Sequence, residues 1–291
     1  MSETSLVVGW TWSEGAAKLR VWQGEPSTMQ LIALDGPVCF RILPGRFCTG
    51  YSDGAVGQPC PEQALARRGT NCDACASRDA FRPCMACTGL RCPRLTPAMR
   101  RYCRQDHHLY LACFGGETIK VGTASHPRRD QRIVEQGPLA AARVARAVGP
   151  TVKQMEHLLS DAGFTETMRR TRKTALLQGA MTEAEARSRV MDAVRGLRGV
   201  LPPTYHDHLH APVFVPQPPL AVASRSLTVN QLRVEDDRVV EGRFVGAVGH
   251  LAFIEETDGR FALDLGELKG RHIAWNPGGP RRRPEAQLGL F

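Results

Sequence analysis

Eight cysteines between positions 48 and 103 are the residues of this chain whose type and spacing point most directly to chemistry. They are Cys48, Cys60, Cys72, Cys75, Cys84, Cys87, Cys92 and Cys103. Two of the pairs have Cys-x-x-Cys spacing, which lets both sulfurs of a pair face one ion. Because a structural zinc ion takes four thiolates in a tetrahedron, eight cysteines predict about two zinc ions.

Other interpretations of these cysteines are a disulfide framework, an iron–sulfur cluster and unligated buried thiols. Disulfides are rare in cytoplasmic proteins, and the first residues do not resemble a signal peptide. Thiolate ligands at this spacing therefore favour zinc. Sequential pairing places the first four cysteines around one ion and the last four around another, and an interleaved pairing is also open. Cys39 and Cys113 lie in strand-like runs and are predicted core residues.

Arginines overlap the second half of the cysteine-rich segment. The candidates for contact with DNA there are Arg94, Arg100, Arg101 and Arg104. A rigid loop held by metal would present these guanidinium groups to a phosphate backbone. The formal net charge of +9 also favours a nucleic acid as partner. A solvated basic face, and an arginine content that reflects a GC-rich genome, are the alternatives.

Four motifs follow the cysteines. They are His108-Leu-Tyr-Leu-Ala-Cys-Phe-Gly, Ile119-Lys-Val-Gly-Thr, Arg132-Ile-Val-Glu-Gln-Gly-Pro and Val152-Lys-Gln-Met-Glu156. In this order they resemble the GIY-YIG nuclease superfamily, and most closely a bacterial family that places a cysteine-rich segment before such a core. The resemblance covers roughly residues 40 to 275, with its best motifs between 108 and 156.

The resemblance implies a divalent-metal-dependent endonuclease that hydrolyses phosphodiester bonds. It assigns Tyr110 to the first strand of a hairpin, Arg132 to stabilising the pentacovalent phosphate, and Glu156 to holding one Mg²⁺ or Mn²⁺ ion. Arg128 and Arg129 compete with Arg132 for its role and are otherwise expected to contact DNA.

Lys120 is the main departure from the superfamily pattern, because it stands where a second tyrosine is expected. Some branches of the superfamily carry the same lysine. A protonated lysine cannot act as a base, so Lys120 is predicted to clamp a phosphate. An inactive DNA-binding adaptor, and a regulator that recognises DNA through the zinc module, are therefore alternatives to the nuclease.

The last five residues, Gln287-Leu288-Gly289-Leu290-Phe291, resemble the Gln-Leu-x-Leu-Phe peptide by which bacterial polymerases and repair proteins bind the replicative sliding clamp. In that mode the amide of Gln287 fixes the orientation, while Leu288, Leu290 and Phe291 fill an apolar pocket. A frayed apolar terminus is the alternative. Clamp binding implies DNA as the substrate and a role in replication or repair.

The elements that must position these residues predict an α+β protein. Strand-like alternation marks both ends of the chain, an apolar hairpin runs from Leu109 to Gly122, and helical periodicity follows it. Thr182 and Glu185 form a capping box ahead of a second helix. The predicted order is a β-region at 1–47, a cysteine-rich zinc module at 48–107, a GIY-YIG-like core at 108–200, a proline-rich connector at 201–225, a second β-region at 226–275 and a flexible basic tail at 276–291.

The sequence contains no apolar run long enough for a membrane helix, so a membrane is not an expected partner. We expect a cytoplasmic, nucleoid-associated protein with DNA and the sliding clamp as partners.

Overall fold

A computed structural model describes residues 4–24, 27–54, 56–90, 92, 96–177, 179–218, 230–256, 259–276 and 285–286. It divides the chain into two compact units. The first unit joins Met1–Arg82 to Val229–Phe291, and the second is Pro83–Thr228. The boundary after Arg82 falls inside residues 48–107, which the sequence predicts to form one zinc module.

The strands, in chain order, are β1 Thr4–Ser13, β2 Ala16–Gln23, β3 Thr28–Ala33, β4 Pro37–Ile42, β5 Tyr51–Ser52, β6 Gly57–Gln58, β7 Asp106–Cys113, β8 Ile119–Ser125, β9 Ala140–Val148, β10 Leu209–Phe214, β11 Asn230–Leu232, β12 Val239–Val248, β13 Leu251–Glu256, β14 Gly259–Asp264, β15 His272–Trp275 and β16 Glu285–Ala286. The α-helices are α1 Asp73–Arg78, α2 Pro97–Arg104, α3 Gln131–Val134, α4 Gly149–Asp161, α5 Arg170–Leu177 and α6 Glu183–Val200. Short 3₁₀ helices span Arg82–Ala86, His126–Arg128 and Pro203–His208.

The first unit is built on one sheet in the order β11-β14-β13-β12-β4-β15-β1-β2-β3-β16. Strands from the two ends of the chain alternate within it, because β4 lies between β12 and β15. Phe40 of β4 pairs with Val240 on one side and with Trp275 on the other. Alternate side chains of these strands enclose a single core that includes the fully buried Val7, Leu19 and Ile42.

The second unit contains a smaller sheet in the order β10-β9-β7-β8. Strands β7 and β8 form the predicted hairpin, with Tyr110 opposite Gly122 and Ala112 opposite Lys120. The turn lies at Gly115 and Gly116, whose φ angles of 120° and 69° belong to a region that side chains disfavour.

The two faces of this sheet have different neighbours. Leu109 and Leu111 pack with Val152 and Met155 of α4 and with Val190 of α6. The opposite face carries Tyr110, Ala112 and Phe114, which pack with Ile133 of α3 and with Met168. Successive side chains of a strand point to opposite faces of the sheet, so one face packs on α4 and α6 and the other carries Tyr110 and Lys120.

The predicted α+β class is confirmed in its coarse form, since the chain is mixed and rich in strands. The capping box is confirmed as well: Thr182 accepts a hydrogen bond from the Glu185 amide, and the Glu185 carboxylate accepts one from the Thr182 amide. The segment predicted as an extended connector differs, because it contains a 3₁₀ helix and β10, which pairs with β9. Among the described residues, no helix is long and apolar enough to cross a membrane.

Candidate active site and metal centre

The first four cysteines converge in the first unit. The sulfur atoms of Cys48, Cys60, Cys72 and Cys75 all lie within 4.8 Å of one another, and the sulfurs of Cys60 and Cys72 are 3.9 Å apart. Four sulfurs around a tetrahedral zinc ion, at about 2.3 Å from the metal, stand about 3.8 Å apart. These four thiols therefore have the spacing that a metal ion of this type requires.

Local backbone geometry supports the thiolate form of these ligands. The Cys72 amide donates to the Cys48 sulfur at 3.1 Å, and the Cys75 amide donates to the Cys72 sulfur at 3.5 Å. Gly50 permits the loop, because its φ is +87° and a Cβ there would lie 1.9 Å from the Gln58 carbonyl oxygen. Burial raises the pKa of the Cys48 and Cys75 thiols, and a bound cation would reverse that effect. The set is compatible with structural zinc.

The last four cysteines lie in the second unit. Burial is the main cause that raises the pKa of Cys84 to about 11. The charges of the neighbouring Cys103, Cys87 and Cys92 raise it further. The Gly89 amide donates to the Cys87 sulfur at 3.4 Å. These thiols are thus electrostatic neighbours, although the first set is the one group of three or more metal-binding side chains within 4.8 Å among the residues the structure describes.

Helix α2 carries three of the predicted DNA-contacting arginines. Arg100, Arg101 and Arg104 are exposed on it, and its N-terminus is capped by the Thr96 hydroxyl, which accepts from the Met99 amide at 3.2 Å. Met99, which is fully buried, fixes the opposite face of the helix. The three guanidinium groups are therefore presented to solvent from one short helix. Arg94 lies outside the described residues.

Tyr110 is buried on the face of the hairpin that packs with Ile133 and Met168, with 2% of its surface exposed. Its ring covers Gly122 on the facing strand, where a Cβ would lie 2.4 Å from the phenol oxygen. Burial raises the pKa of Tyr110 to about 12, opposed by the charge of Arg132 and reinforced by Glu156. A phenol in this state keeps its proton at neutral pH and can donate or accept a hydrogen bond.

Lys120 is also buried, and its ammonium group is held by carbonyl oxygens. Its Nζ donates to the Val121 oxygen at 3.3 Å and to the backbone oxygen of Glu166. Burial lowers the pKa of Lys120 to about 8, opposed by Glu156 and reinforced by Arg132. The amine therefore carries its charge at neutral pH and begins to lose it in mildly alkaline solution.

Of the three candidate arginines, Arg128 and Arg129 are hydrogen-bonded to other residues, which leaves the guanidinium group of Arg132 to contact a ligand. One nitrogen of the Arg128 guanidinium group, Nη2, donates to both oxygens of the Glu135 carboxylate at 2.8 Å. Arg129 donates to the His126 carbonyl oxygen at 2.8 Å. Arg132 is exposed on α3 and makes no hydrogen bond or ion pair with any described residue. An unengaged guanidinium beside Tyr110 and Lys120 favours Arg132 for contact with an anion.

Glu156 lies on α4 and is 4% exposed. Lys153, one turn before it, donates to its Oε2 and lies 3.8 Å from Glu166 Oε1. Burial raises the pKa of Glu156, and the Lys153 charge opposes that shift. The carboxylate is therefore available to a metal ion only if that ion competes with Lys153.

The site has three further charged residues to which the resemblance gives no role, and two of them, Glu166 and Lys173, lie outside the motifs. Lys153 and Glu166 neighbour Glu156, and Lys173 on α5 interacts electrostatically with Lys120 and Arg132. The spacing of Lys153 and Glu156, three apart on a helix, is a usable signal for the first pair. Lys173 has no such signal, because a segment of irregular structure separates α5 from the rest of the site.

Together the structure brings Tyr110, Lys120, Arg132 and Glu156 into one electrostatic neighbourhood, although they come from four separate elements. The predicted clamp-binding residues Gln287, Leu288, Leu290 and Phe291 lie outside the described residues.

The family described as "Protein of unknown function (DUF2797)" matches residues 66–273. The match includes all four residues of this neighbourhood, whereas Cys48 and Cys60 precede it. Neither the search of curated proteins nor the search of solved structures gave a match. Because more than half of the chain is covered, the protein belongs to the DUF2797 family.

Proposed function

We propose that this protein is a divalent-metal-dependent, GIY-YIG-like endonuclease that acts on DNA in replication or repair. The observation that supports this most is the joint neighbourhood of Tyr110, Lys120, Arg132 and Glu156. The charges of Arg132 and Glu156 both influence the pKa of Tyr110 and of Lys120, which supports a site shared by the four groups. A phosphodiester needs this combination of hydrogen-bonding, cationic and carboxylate groups.

Each residue has a role that follows from its environment. Arg132, which is unengaged, would stabilise the charge that develops on the phosphate. Lys120 would clamp a phosphate oxygen while it remains protonated. Tyr110 retains its proton at neutral pH, so it would orient a water molecule or phosphate oxygen rather than remove a proton.

Glu156 would hold a single Mg²⁺ or Mn²⁺ ion, since a carboxylate is the hard ligand that these ions prefer. When bound, such an ion would supply Lewis-acid stabilisation of the phosphate. Lys153 would have to release the Glu156 carboxylate in exchange, which makes metal affinity a competition between two cations.

The cysteines would have a structural role in this protein. All four positions around an ion at Cys48, Cys60, Cys72 and Cys75 would be filled by sulfur, so no position is left for water. The remaining set, Cys84, Cys87, Cys92 and Cys103, would hold a second zinc ion beside the exposed arginines of α2. That arrangement would place Arg100, Arg101 and Arg104 on a rigid support for the DNA backbone.

An inactive DNA-binding adaptor is the second candidate, and the Lys153–Glu156 ion pair is the observation that favours it. If the ion pair persists in solution, the carboxylate does not bind a divalent ion and the cations only hold phosphate. The adaptor and the nuclease therefore share a DNA-binding site and differ in whether metal reaches Glu156.

The deciding experiment incubates the purified protein with branched, flapped and single-stranded DNA in Mg²⁺ or Mn²⁺. We expect nicking by the native protein and at least about a hundredfold loss in Glu156→Ala. Glu183→Ala, which changes an exposed glutamate of α6, is the control and should nick normally. If the native protein does not nick any substrate, or if Glu156→Ala nicks as well as it does, the nuclease proposal is wrong. DNA binding that weakens with salt would then favour the adaptor.

A further inference from the structure

Lys173 is a buried amine that none of the predicted roles uses. It lies on α5 with 7% of its surface exposed, and its Nζ donates to the Gln136 side-chain oxygen at 2.5 Å. The same amine lies 4.7 Å from the centre of the Phe114 ring. Phe114 directly follows the first strand of the hairpin and packs in the same cluster as Tyr110, so Lys173 points toward the face that carries Tyr110 and Lys120.

Helix α5 is held in this place by packing against the hairpin turn. A Cβ on Gly115 would lie 3.0 Å from the Leu176 carbonyl oxygen, and one on Gly116 would lie 3.3 Å from the Leu176 side chain. The two turn glycines thus allow α5 to approach closely. Lys173, one turn earlier on the helix, is fixed relative to the hairpin by this contact.

The surroundings of Lys173 are cationic. Burial is the main cause that lowers the pKa of Lys173, to about 7, and the charges of Lys120 and Arg132 add to it. Among the described residues, none of these three cations has a carboxylate within ion-pair distance. Gln136 offers Lys173 only a neutral oxygen.

The buried amines of Lys173 and Lys120 and the exposed guanidinium of Arg132 repel one another, and an anion placed between them would relieve that repulsion. Glu156 and Glu166 offset only part of the charge of Lys120. A side chain that served only for packing would not need an ammonium group here, because an apolar chain of the same length would cost less to bury. The cluster therefore has the composition of an anion site that is incomplete without its ligand.

We propose that Lys173 is a phosphate-binding residue that joins Lys120 and Arg132 in holding one phosphate group of a nucleic-acid backbone. This inference rests on the proposed action on DNA and adds to it a contact from α5, which none of the recognised motifs includes. Lys173 is assigned to positioning the phosphate, and no step of bond cleavage is assigned to it.

The test measures binding without cleavage. A short thymidine oligonucleotide, and separately inorganic phosphate, are titrated into the full-length protein by calorimetry at fixed ionic strength with no added divalent ion. We expect Lys173→Met to weaken binding of both by about tenfold, the size of one charge-assisted hydrogen bond. Lys173→Arg keeps a cation and should bind more tightly than Lys173→Met. Lys269→Met, which removes a half-buried lysine of the first unit whose pKa is also lowered by burial, should bind like the native protein.

Thermal unfolding separates this role from a structural one. Without ligand, Lys173→Met should unfold at the same or a higher temperature than the native protein, because burial opposes the charged amine. Undiminished oligonucleotide and phosphate binding by Lys173→Met overturns the proposal, and so does a lower unfolding temperature with binding lost equally in Lys173→Arg. If the native protein binds DNA through Lys173 but never nicks it, the nuclease proposal fails and this one stands.

Discussion

At the scale of single residues, the protonation of two amines would set how strongly the proposed site holds phosphate. Lys173 and Lys120 have pKa values near 7 and 8, so both change charge within a range that ordinary buffers cover. A lysine whose pKa is lowered is charged below that pKa and neutral above it. The site is therefore most cationic in mildly acidic solution and loses charge as the pH rises.

We predict that the affinity for DNA falls as the pH is raised through 7 and 8, because Lys173 and then Lys120 release their protons. Lys120→Arg should retain more affinity at about pH 9, since the guanidinium group stays charged there. Fluorescence anisotropy with a labelled oligonucleotide at constant ionic strength measures the effect. A profile that is the same in Lys120→Arg and in the native protein would contradict the assignment.

We predict that Gly122→Ala destabilises the second unit by about 1–3 kcal/mol, because the new Cβ would meet the buried Tyr110 ring at 2.4 Å. Gly196→Ala on α6 is the control: nothing lies within 4 Å of its Cβ, and alanine favours a helix. Relative to the native protein, the unfolding temperature should fall in Gly122→Ala and rise in Gly196→Ala. Equal unfolding temperatures would mean that the ring does not pack on Gly122.

At the scale of elements, α6 begins at a cap that the sequence already indicates. We predict that Thr182→Ala lowers the free energy of unfolding of the second unit by about 1 kcal/mol, since the Glu185 amide loses its acceptor. Denaturant unfolding measures this loss. Thr167→Ala changes an exposed threonine outside the helices and should have little effect.

The two cysteine sets allow a prediction about metal content. We expect about two zinc ions per native chain and about one in Cys75→Ser, because the first set loses a ligand while the second remains. Cys39→Ser removes a thiol outside both sets and should leave the content unchanged. Elemental analysis after dialysis gives the count. A native chain that folds without metal would rule out this interpretation.

Several elements could be predicted from local sequence, and others could not. The hairpin and the capping box have local signals, namely apolar runs around Gly115-Gly116 and a threonine three residues before a glutamate. Strand β9 has the sequence Ala-Ala-Ala-Arg-Val-Ala-Arg-Ala-Val, whose alanines favour a helix, and it is a strand because it pairs with β7 and β10.

Some residues of the candidate site could also be predicted from the sequence, and others could not. Tyr110, Lys120, Arg132 and Glu156 stand in ordered motifs, so a resemblance could suggest them. Lys173 and Glu166 reach the site through the packing of α5 and of the segment along the edge of β8, where the Val121 amide donates to the Thr165 carbonyl oxygen at 3.0 Å. Such contacts depend on tertiary structure, which local periodicity does not encode.

At the scale of the whole molecule, we predict that the last five residues bind the sliding clamp. Removing Gln287 to Phe291 should abolish retention on immobilised clamp, because the Leu and Phe anchors are lost, and should leave nicking in free solution unchanged. Surface plasmon resonance measures the first effect. Replacing Gly289 with alanine keeps Gln287 and the three apolar anchors and serves as the control. Undiminished binding by the truncated protein would contradict the prediction.

The alternation of strands in the large sheet has a consequence for how the protein is made. Strands β1 to β4 leave the ribosome early, but β4 needs β12 and β15 as its neighbours, and both are encoded near the end of the chain. The second unit, in contrast, carries all its strands in one continuous stretch. The second unit can complete its sheet during translation, whereas β4 stays unpaired until β12 and β15 have been synthesised. We therefore expect the second unit to complete its sheet before the first unit, so that the order of folding would depart from the order of synthesis.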